Sequence, residues 1–423
     1  MSQLNWRDQE LSYDQVLDKH NGDISKFTVL KIDITRRGYI YSEAASKIID
    51  PQKHHVEPND FLGSTKTENS SPYPIGLVMR DGTTICSEPG LSTTVRQRDP
   101  YVIDLIDGKL YITDQGRVYE EVEIWERPDF YDKVTSNGTP MWQIASARPQ
   151  RITIAPGTKC HFWDKPGNGC KFCALFSGHR CDDGEFRDET YFQDVTETVA
   201  EALKQKGRYA SFHMTSGSML SGREIFDDEV ALYIKTLKAA GKAIHADKFP
   251  TKLVASAFTK RQLERMREET GLTGYVTDLE VLNKDLFSWI CPGKTEFIGY
   301  DEWKKRLYDA VDVFGRGQVN CGIVAGVETA QPNGFADEEK ALEVVLKEAN
   351  EIAKHGVTFS ECVWTTLPKS YFFKQKTPSL DYFVRLALGL AEARRRNGIQ
   401  ENIDDYRRCG NHPSTDLARI EKW

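Results

Sequence analysis

The stretch RITIAPGTKCHFWDKPGNGCKFCALF, residues 151–176, joins a short β-branched run to a loop that carries three cysteines. Residues 151–155 read as a strand. Pro156, Gly157, Pro166, Gly167 and Gly169 then break regular structure, so the chain there can wrap around something. Cys170 and Cys173 form a Cys-x-x-Cys pair, and Cys160 stands ten positions before the first of them. A loop this long inside a compact domain is usually functional. Three thiols cannot all pair among themselves, so metal binding and thiol exchange are the chemistries to weigh.

Downstream of the loop the chain alternates. DVTETVAEALKQKG (194–207) has helical periodicity and a glycine stop, and YASFHMT (209–215) reads as the next strand. A helix over 227–241 is followed by a predicted strand in KAIHAD, and TKRQLERMREETG by a strand in GYVTDLEV. The helix YDEWKKRLYDAVDVFG precedes the buried strand QVNCGIVAGVE. The helix DEEKALEVVLKEANEIAKHG precedes the extended VTFSECVW, and SLDYFVRLALGLAEARRRNG closes the series. Six consecutive βα units predict an α/β protein with a parallel sheet under helices, a partial (β/α)6 TIM-like barrel, with a doubly wound sheet as the alternative. Either architecture puts its site beyond the C-terminal ends of the strands, where the cysteine loop falls.

Upstream, turn signals at Asp81-Gly82, Asp107-Gly108 and Asp114-Gln115-Gly116 predict short hairpins. Residues 1–148 are expected to form a mainly β accessory region, 149–400 the barrel, and 401–423 a tail packed on it. His54 and His55 read as solvated loop histidines.

Composition excludes several classes. Of 423 residues, 39% are hydrophobic and 28% charged, which supports a buried core and argues against disorder. A net charge of −7 argues against a general nucleic-acid binder. The N-terminus lacks a basic region followed by an apolar core, and no apolar run approaches the roughly 20 residues a membrane span needs. Nine scattered cysteines fit reduced thiols in the cytoplasm rather than a disulfide framework.

Three cysteines suit an iron–sulfur cluster, for a cubane usually takes four and three would leave one iron open to a small molecule. Here the sequence resembles the radical S-adenosylmethionine enzymes. Their usual Cys-x3-Cys-x2-Cys motif lies in the loop after the first strand of a partial barrel, with an aromatic residue before the last cysteine. Phe172 stands there, and the first gap is nine residues instead of three. The resemblance implies Cys160, Cys170 and Cys173 as ligands of a [4Fe-4S] cluster, with Cys181 the rival for the first position. It implies Thr215, Ser216, Gly217 and Ser218 as the strand-two segment that meets the methionyl group. Ser218 stands where that segment usually has an acidic residue. Glu280, with Asn283 as a second choice, is implied as the polar strand-four residue, and Val324 and Gly326 as the strand-five contacts to adenine. It also implies S-adenosylmethionine as cofactor and a 5′-deoxyadenosyl radical that takes hydrogen from a substrate, most simply a small molecule. The reductant would be a protein such as a flavodoxin or ferredoxin.

Two other readings compete. A structural zinc site could use Cys160, Cys170, Cys173 and Cys181, with His161 or His179 substituting. A thiol–disulfide oxidoreductase could use Cys170 and Cys173 alone. Cys86, Cys291, Cys321 and Cys362 read as small core hydrophobes, and Cys409 near His412 as no second cluster. His213 on strand two, Lys248 at the end of predicted strand three, Glu328, Trp364 and Tyr371 are secondary substrate-site candidates.

Overall fold

The computed structural model describes residues 7, 9–56, 73–86, 99–148, 150–157, 160–174, 187–367, 369–400 and 412–417. The predicted hairpins form where both central residues of a two-residue turn adopt positive φ, as at Asp107-Gly108 and Gln115-Gly116. They build a six-stranded sheet from β1 (Tyr39–Tyr41), β2 (Gly76–Met79), β3 (Thr84–Cys86), β4 (Tyr101–Ile106), β5 (Lys109–Asp114) and β6 (Arg117–Ile124). Its order is β1-β4-β5-β6-β2-β3.

The second sheet has seven strands in chain order: β7 (Ser146–Arg148), β8 (Arg151–Ile154), β9 (Ser211–Thr215), β10 (Thr251–Val254), β11 (Gly274–Val276), β12 (Val319–Ala325) and β13 (Thr358–Val363). β8 to β13 are parallel throughout, and β7 pairs antiparallel with β8. Helices fill each crossover, as six βα units require. The helix Lys260–Thr270 shows why the sequence was readable. Thr259 and Gln262 close a capping box at its start, and Gly271 takes the left-handed conformation at its end.

The third strand departs from expectation. KAIHAD is not a strand, because the helix Asp227–Ile244 runs through Gly241 and stops only where His245 adopts φ 57°. The strand starts after Pro250, so Lys248 is an exposed residue before β10 and not at its C-terminal end. Two short helices that the sequence did not announce, Lys284–Ile290 and Pro292–Phe297, follow β11. His55 also corrects its reading: it is buried, stacked on Trp125, with Nε2 3.1 Å from the Tyr131 hydroxyl. His54 is half-buried, and its Nδ1 accepts the Asp50 N–H at 2.9 Å.

The helix Lys26–Arg37 is buried on two faces. Val29 and Ile32 join the core of the large sheet, while Leu30 and Ile34 join that of the small one. Its charged residues Lys31, Asp33, Arg36 and Arg37 are buried as well and are satisfied by ion pairs. Arg36 and Arg37 bracket Asp33, the Tyr101 hydroxyl donates to Asp33 at 2.6 Å, and Arg37 reaches Asp114 at 3.0 Å. Lys31 Nζ meets Asp416 at 2.8 Å. Asp416 belongs to a short helix, Pro413–Asp416, that lies against β13. Ser414 there donates to the Glu361 carboxylate and accepts from Arg394.

Candidate functional site

The two faces of the large sheet differ in chemistry. Residues directly paired across parallel strands, and residues two apart along one strand, share a face. On one face Ile152, Ile154, Phe212, Met214, Leu253, Tyr275, Ile323 and Phe359 pack into the helix-covered core. The other face carries Arg151, Thr153, His213, Thr215, Lys252, Asn320, Thr358 and Ser360, all buried. Charges from both ends of the strand order act on His213 in the middle, namely Arg148 and Arg151 on β7 and β8 and His412 beside β13. The sheet therefore curls, with the polar face inside.

The cysteine loop sits over the C-terminal ends of these strands. His161 N–H donates to the Ser218 carbonyl at 2.8 Å, and its Nδ1 accepts from Leu220 N at 3.1 Å. Gly157 N–H donates to Ser216 Oγ at 2.8 Å. These bonds tie the loop to the segment after β9. That segment is itself fixed by the buried Glu229, which accepts from Met219 N, Ser256 N and Ser256 Oγ. Burial pushes the Glu229 carboxyl up to about 7. The loop's other end docks on the two unannounced helices. Lys171 N–H donates to the Ile290 carbonyl and Gly293 N–H to the Asn168 carbonyl. Gly169 is required where it stands, since a Cβ there would fall on the Trp163 ring.

Cys160, Cys170 and Cys173 are half-buried by residue, and Cys170 and Cys173 both act electrostatically on Cys160. Burial, then the neighbouring Cys170, pushes Cys160 up to about 12. A hydrogen bond from the Cys291 thiol, opposed by burial and aided by Lys294, brings Cys170 down to about 7. Cys291 is thus buried as expected but lies against a site cysteine, which its isolated place in the sequence did not reveal. Cys362 departs from its core reading, being exposed with Sγ 3.8 Å from His412 Nδ1. Cys181, His179 and Cys409 lie outside the described residues.

Glu280 follows β11 and lies against β12. Its N–H donates to the Gly322 carbonyl and its carbonyl accepts Val324 N–H, both at 2.9 Å, so it sits beside the strand-five residues. It holds φ 70°, a strained conformation for a glutamate. Lys294 pairs with it at 3.0 Å and also donates to the Asp278 carbonyl at 2.5 Å. Burial pushes Glu280 up to about 8, with Asp278 and Cys170 adding to the rise and Lys294 opposing it. Burial opposes the charge on Lys294, but Glu280 and Cys170 outweigh it and raise that group. Lys294 and Asp278 were not picked out in the sequence, where a lysine on a short helix carries no signal. Asn283 caps the helix Lys284–Ile290 instead, its Oδ1 accepting Leu286 N–H at 3.0 Å.

Of the remaining candidates, Thr215 ends β9, Gly217 is buried beside it, and Phe172 packs half-buried on the core. Gly326 takes φ 91° at the end of β12, with Pro378 and Phe383 where a Cβ would go. Glu328 is buried and accepts Leu282 N–H at 2.9 Å, which fixes the segment after Glu280. Trp364 is buried; Tyr371 is exposed and not a pocket wall of the buried kind expected.

The parallel strand order and the cysteine loop over the strand ends are the arrangement that the resemblance to the radical S-adenosylmethionine enzymes implies. The chain is 22% identical over 317 residues to the bacteriochlorophyllide c C-7(1)-hydroxylase of Chlorobaculum limnaeum, covering 71% of this chain and 75% of that protein. Among solved structures it is similar to a radical SAM methyltransferase from Sphaerobacter thermophilus, with 12% identity, a TM-score of 0.43 and coverage of 95% and 97% of the two chains. It is also similar to the FeFe-hydrogenase maturase HydG from Carboxydothermus hydrogenoformans, with 13% identity and a TM-score of 0.39 over 54% of this chain and 49% of that one. No family model matches the chain. Among the described residues, no helix is long and apolar enough to cross a membrane.

Proposed function

We propose that this enzyme holds a [4Fe-4S] cluster on Cys160, Cys170 and Cys173 and binds S-adenosylmethionine between that cluster and the strand ends. The observation that carries this reading is the cysteine loop tied over the strand ends, with Cys170 and Cys173 acting on Cys160 and Cys170 acting on Glu280. The donor chemistry suits the cluster: Cys170 and Cys173 both act electrostatically on Cys160, and three thiolates would leave one iron of a cubane open. Bound there, the cluster would supply the electron that cleaves S-adenosylmethionine to methionine and a 5′-deoxyadenosyl radical, which takes hydrogen from a small-molecule substrate. Ser216 and Ser218 fix the loop through their own bonds and leave the edge of the segment to meet the methionyl end. Glu280, held by backbone on both sides, accepts from the ribose hydroxyls or the ammonium. Gly326 and Val324 give adenine a flat apolar bed. Residues 1–148 serve as an accessory region, and the helix Pro413–Asp416 packs beside β13. A flavodoxin or ferredoxin serves as reductant.

The test is anaerobic purification followed by metal analysis and product analysis. The expected result is about four iron and four sulfide per chain, with 5′-deoxyadenosine formed from S-adenosylmethionine under reduction. Cys160→Ala, Cys170→Ala and Cys173→Ala each lose the cluster, and Cys181→Ala keeps it. Stoichiometric zinc without iron would overturn the reading in favour of a structural metal site.

A further inference from the structure

The surface around the cysteine loop differs from the rest of the molecule. Among the described residues, Phe297 and Tyr371 are the exposed members of the Phe, Trp and Tyr set, at 43% and 67%. Both touch the loop, one near each end. The Phe297 ring lies 6.1 Å from that of Phe162, and the Tyr371 ring lies 5.1 Å from Lys171 Nζ. A single exposed apolar residue is ordinary. Two large aromatics on one loop are the residue type that interfaces collect.

Charge marks the same place. Residues 362–380, which run on from the end of β13, carry Lys369, Lys374 and Lys376 and no acidic residue, in a chain of net charge −7. All three lysines are exposed. Many other surface lysines are matched, as Lys165 is by Glu296, Lys238 by Glu269 and Lys284 by Asp301. Lys171, Lys369, Lys374 and Lys376 pair with no carboxylate among the described residues. Lys376 meets the neutral Gln9 amide at 3.5 Å, and Lys374 lies 5.8 Å from the Phe373 ring. The segment is nevertheless anchored. Phe372 is buried with its ring 5.3 Å from Trp289 and 5.7 Å from Trp364, and its N–H donates to the Lys171 carbonyl at 3.3 Å. The patch is therefore built before any partner arrives, which lowers the cost of binding.

We propose that Phe297, Lys171, Tyr371, Lys369, Lys374 and Lys376 form the docking surface for the acidic protein that delivers an electron to the cluster. The inference rests on the cluster reading proposed above and names where its reductant binds. Lys171 directly follows Cys170, and its charge acts on that thiol. A carrier seated on Lys171 and Tyr371 thus lies beside a cluster ligand. The step moves one electron: the carrier's reduced flavin or iron–sulfur group is oxidised by one and the cluster is reduced by one. Unmatched lysines speed the encounter with an acidic partner, and electron-transfer contacts are among the smaller interfaces. A nucleic acid would be repelled by the rest of a chain that carries −7.

The test titrates a purified acidic flavodoxin, and in parallel an acidic ferredoxin, into the full-length reconstituted protein by calorimetry. The expected result is saturable binding at low salt that weakens as salt rises. Lys369→Glu, Lys374→Glu and Lys376→Glu each weaken it roughly two- to fivefold, and the triple variant roughly tenfold or more. Lys248→Glu reverses an exposed charge before β10, at the opposite end of the strands, and leaves binding unchanged. Stopped-flow bleaching of the cluster by the reduced flavodoxin slows in the same order. Bleaching by photoreduced deazaflavin, a small neutral reductant, does not. The salt dependence of the parent needs no variant, so the test stands if one of them folds poorly. No binding by either carrier, equal binding by the triple variant, or an equal loss in Lys248→Glu would overturn the inference. Tighter binding of polyuridylate RNA through the same lysines would overturn the choice of partner. Iron-free protein that still binds a carrier through these lysines sinks the cluster reading and leaves a docking face. Formation of 5′-deoxyadenosine with deazaflavin, without binding of either carrier, sinks the docking inference alone.

Discussion

Replacing Asp416 by asparagine tests how the barrel's open side is closed. Asp416 and Lys31 face each other at 2.8 Å with side chains 1% and 0% exposed, and they join residues 385 positions apart. The substitution keeps the shape and leaves a buried ammonium facing an amide. Breaking a buried pair in this way costs about 3–5 kcal/mol. The first expected outcome is a urea unfolding curve destabilised by about 3–5 kcal/mol. The second is faster hydrogen exchange across residues 412–417, because Ser414 and Asp416 anchor that segment together. The double variant Lys31→Met/Asp416→Leu recovers most of the loss, since an apolar pair of similar volume replaces the charges. A single variant within about 1 kcal/mol of the parent, or a double variant no better than the single, would refute the reasoning.

Three further outcomes follow from named contacts. Burial works against the Asp33 charge, but Arg36, Arg37 and Tyr101 outweigh it and hold this carboxyl down at about 2 against an ordinary 3.8. A depressed value means stability present above the ordinary pKa and lost as pH falls towards the folded one; its contribution of about 2 kcal/mol should vanish between about pH 4 and 2, and Asp33→Asn should flatten that part of a stability–pH profile. A Cβ on Gly322 would fall on the Asp278 carboxylate, so Gly322→Ala should cost about 1–3 kcal/mol in denaturant midpoint analysis and weaken S-adenosylmethionine binding through Asp278 and Lys294. Glu280→Gln should leave the iron content unchanged and weaken S-adenosylmethionine binding roughly tenfold to a hundredfold by calorimetric titration.

The fold was legible where periodicity and caps agreed. Thr259, Gln262 and Gly271 announce one helix without ambiguity, and the paired β-branched runs at 319–325 and 358–363 announce adjacent buried strands. It was illegible at 242–247, because a glycine in the sequence marks a helix end only when the backbone there turns left-handed, and here His245 does that instead of Gly241. Of the site, the loop and Glu280 were visible as local patterns. Lys294, Cys291 and Glu229 were not, since each acts through a partner far along the chain: Lys294 on Glu280, Cys291 on Cys170, Glu229 on Ser256 and Met219. The polar row inside the sheet was hidden for the same reason. Thr153, His213 and Lys252 are unremarkable in three separate strands and become a group only once register sets them side by side.

The doubly buried helix Lys26–Arg37 has a consequence for biosynthesis. Its partners Val29 and Ile32 need the barrel core, and Lys31 needs Asp416. These contacts form only after nearly the whole chain has left the ribosome. At about 5–20 residues per second the helix waits roughly 20 to 80 seconds with apolar and charged side chains unpaired. During that interval the small sheet can cover Leu30 and Ile34 but not the other face. Apolar surface left open for that long invites association with other chains before the barrel core closes over it.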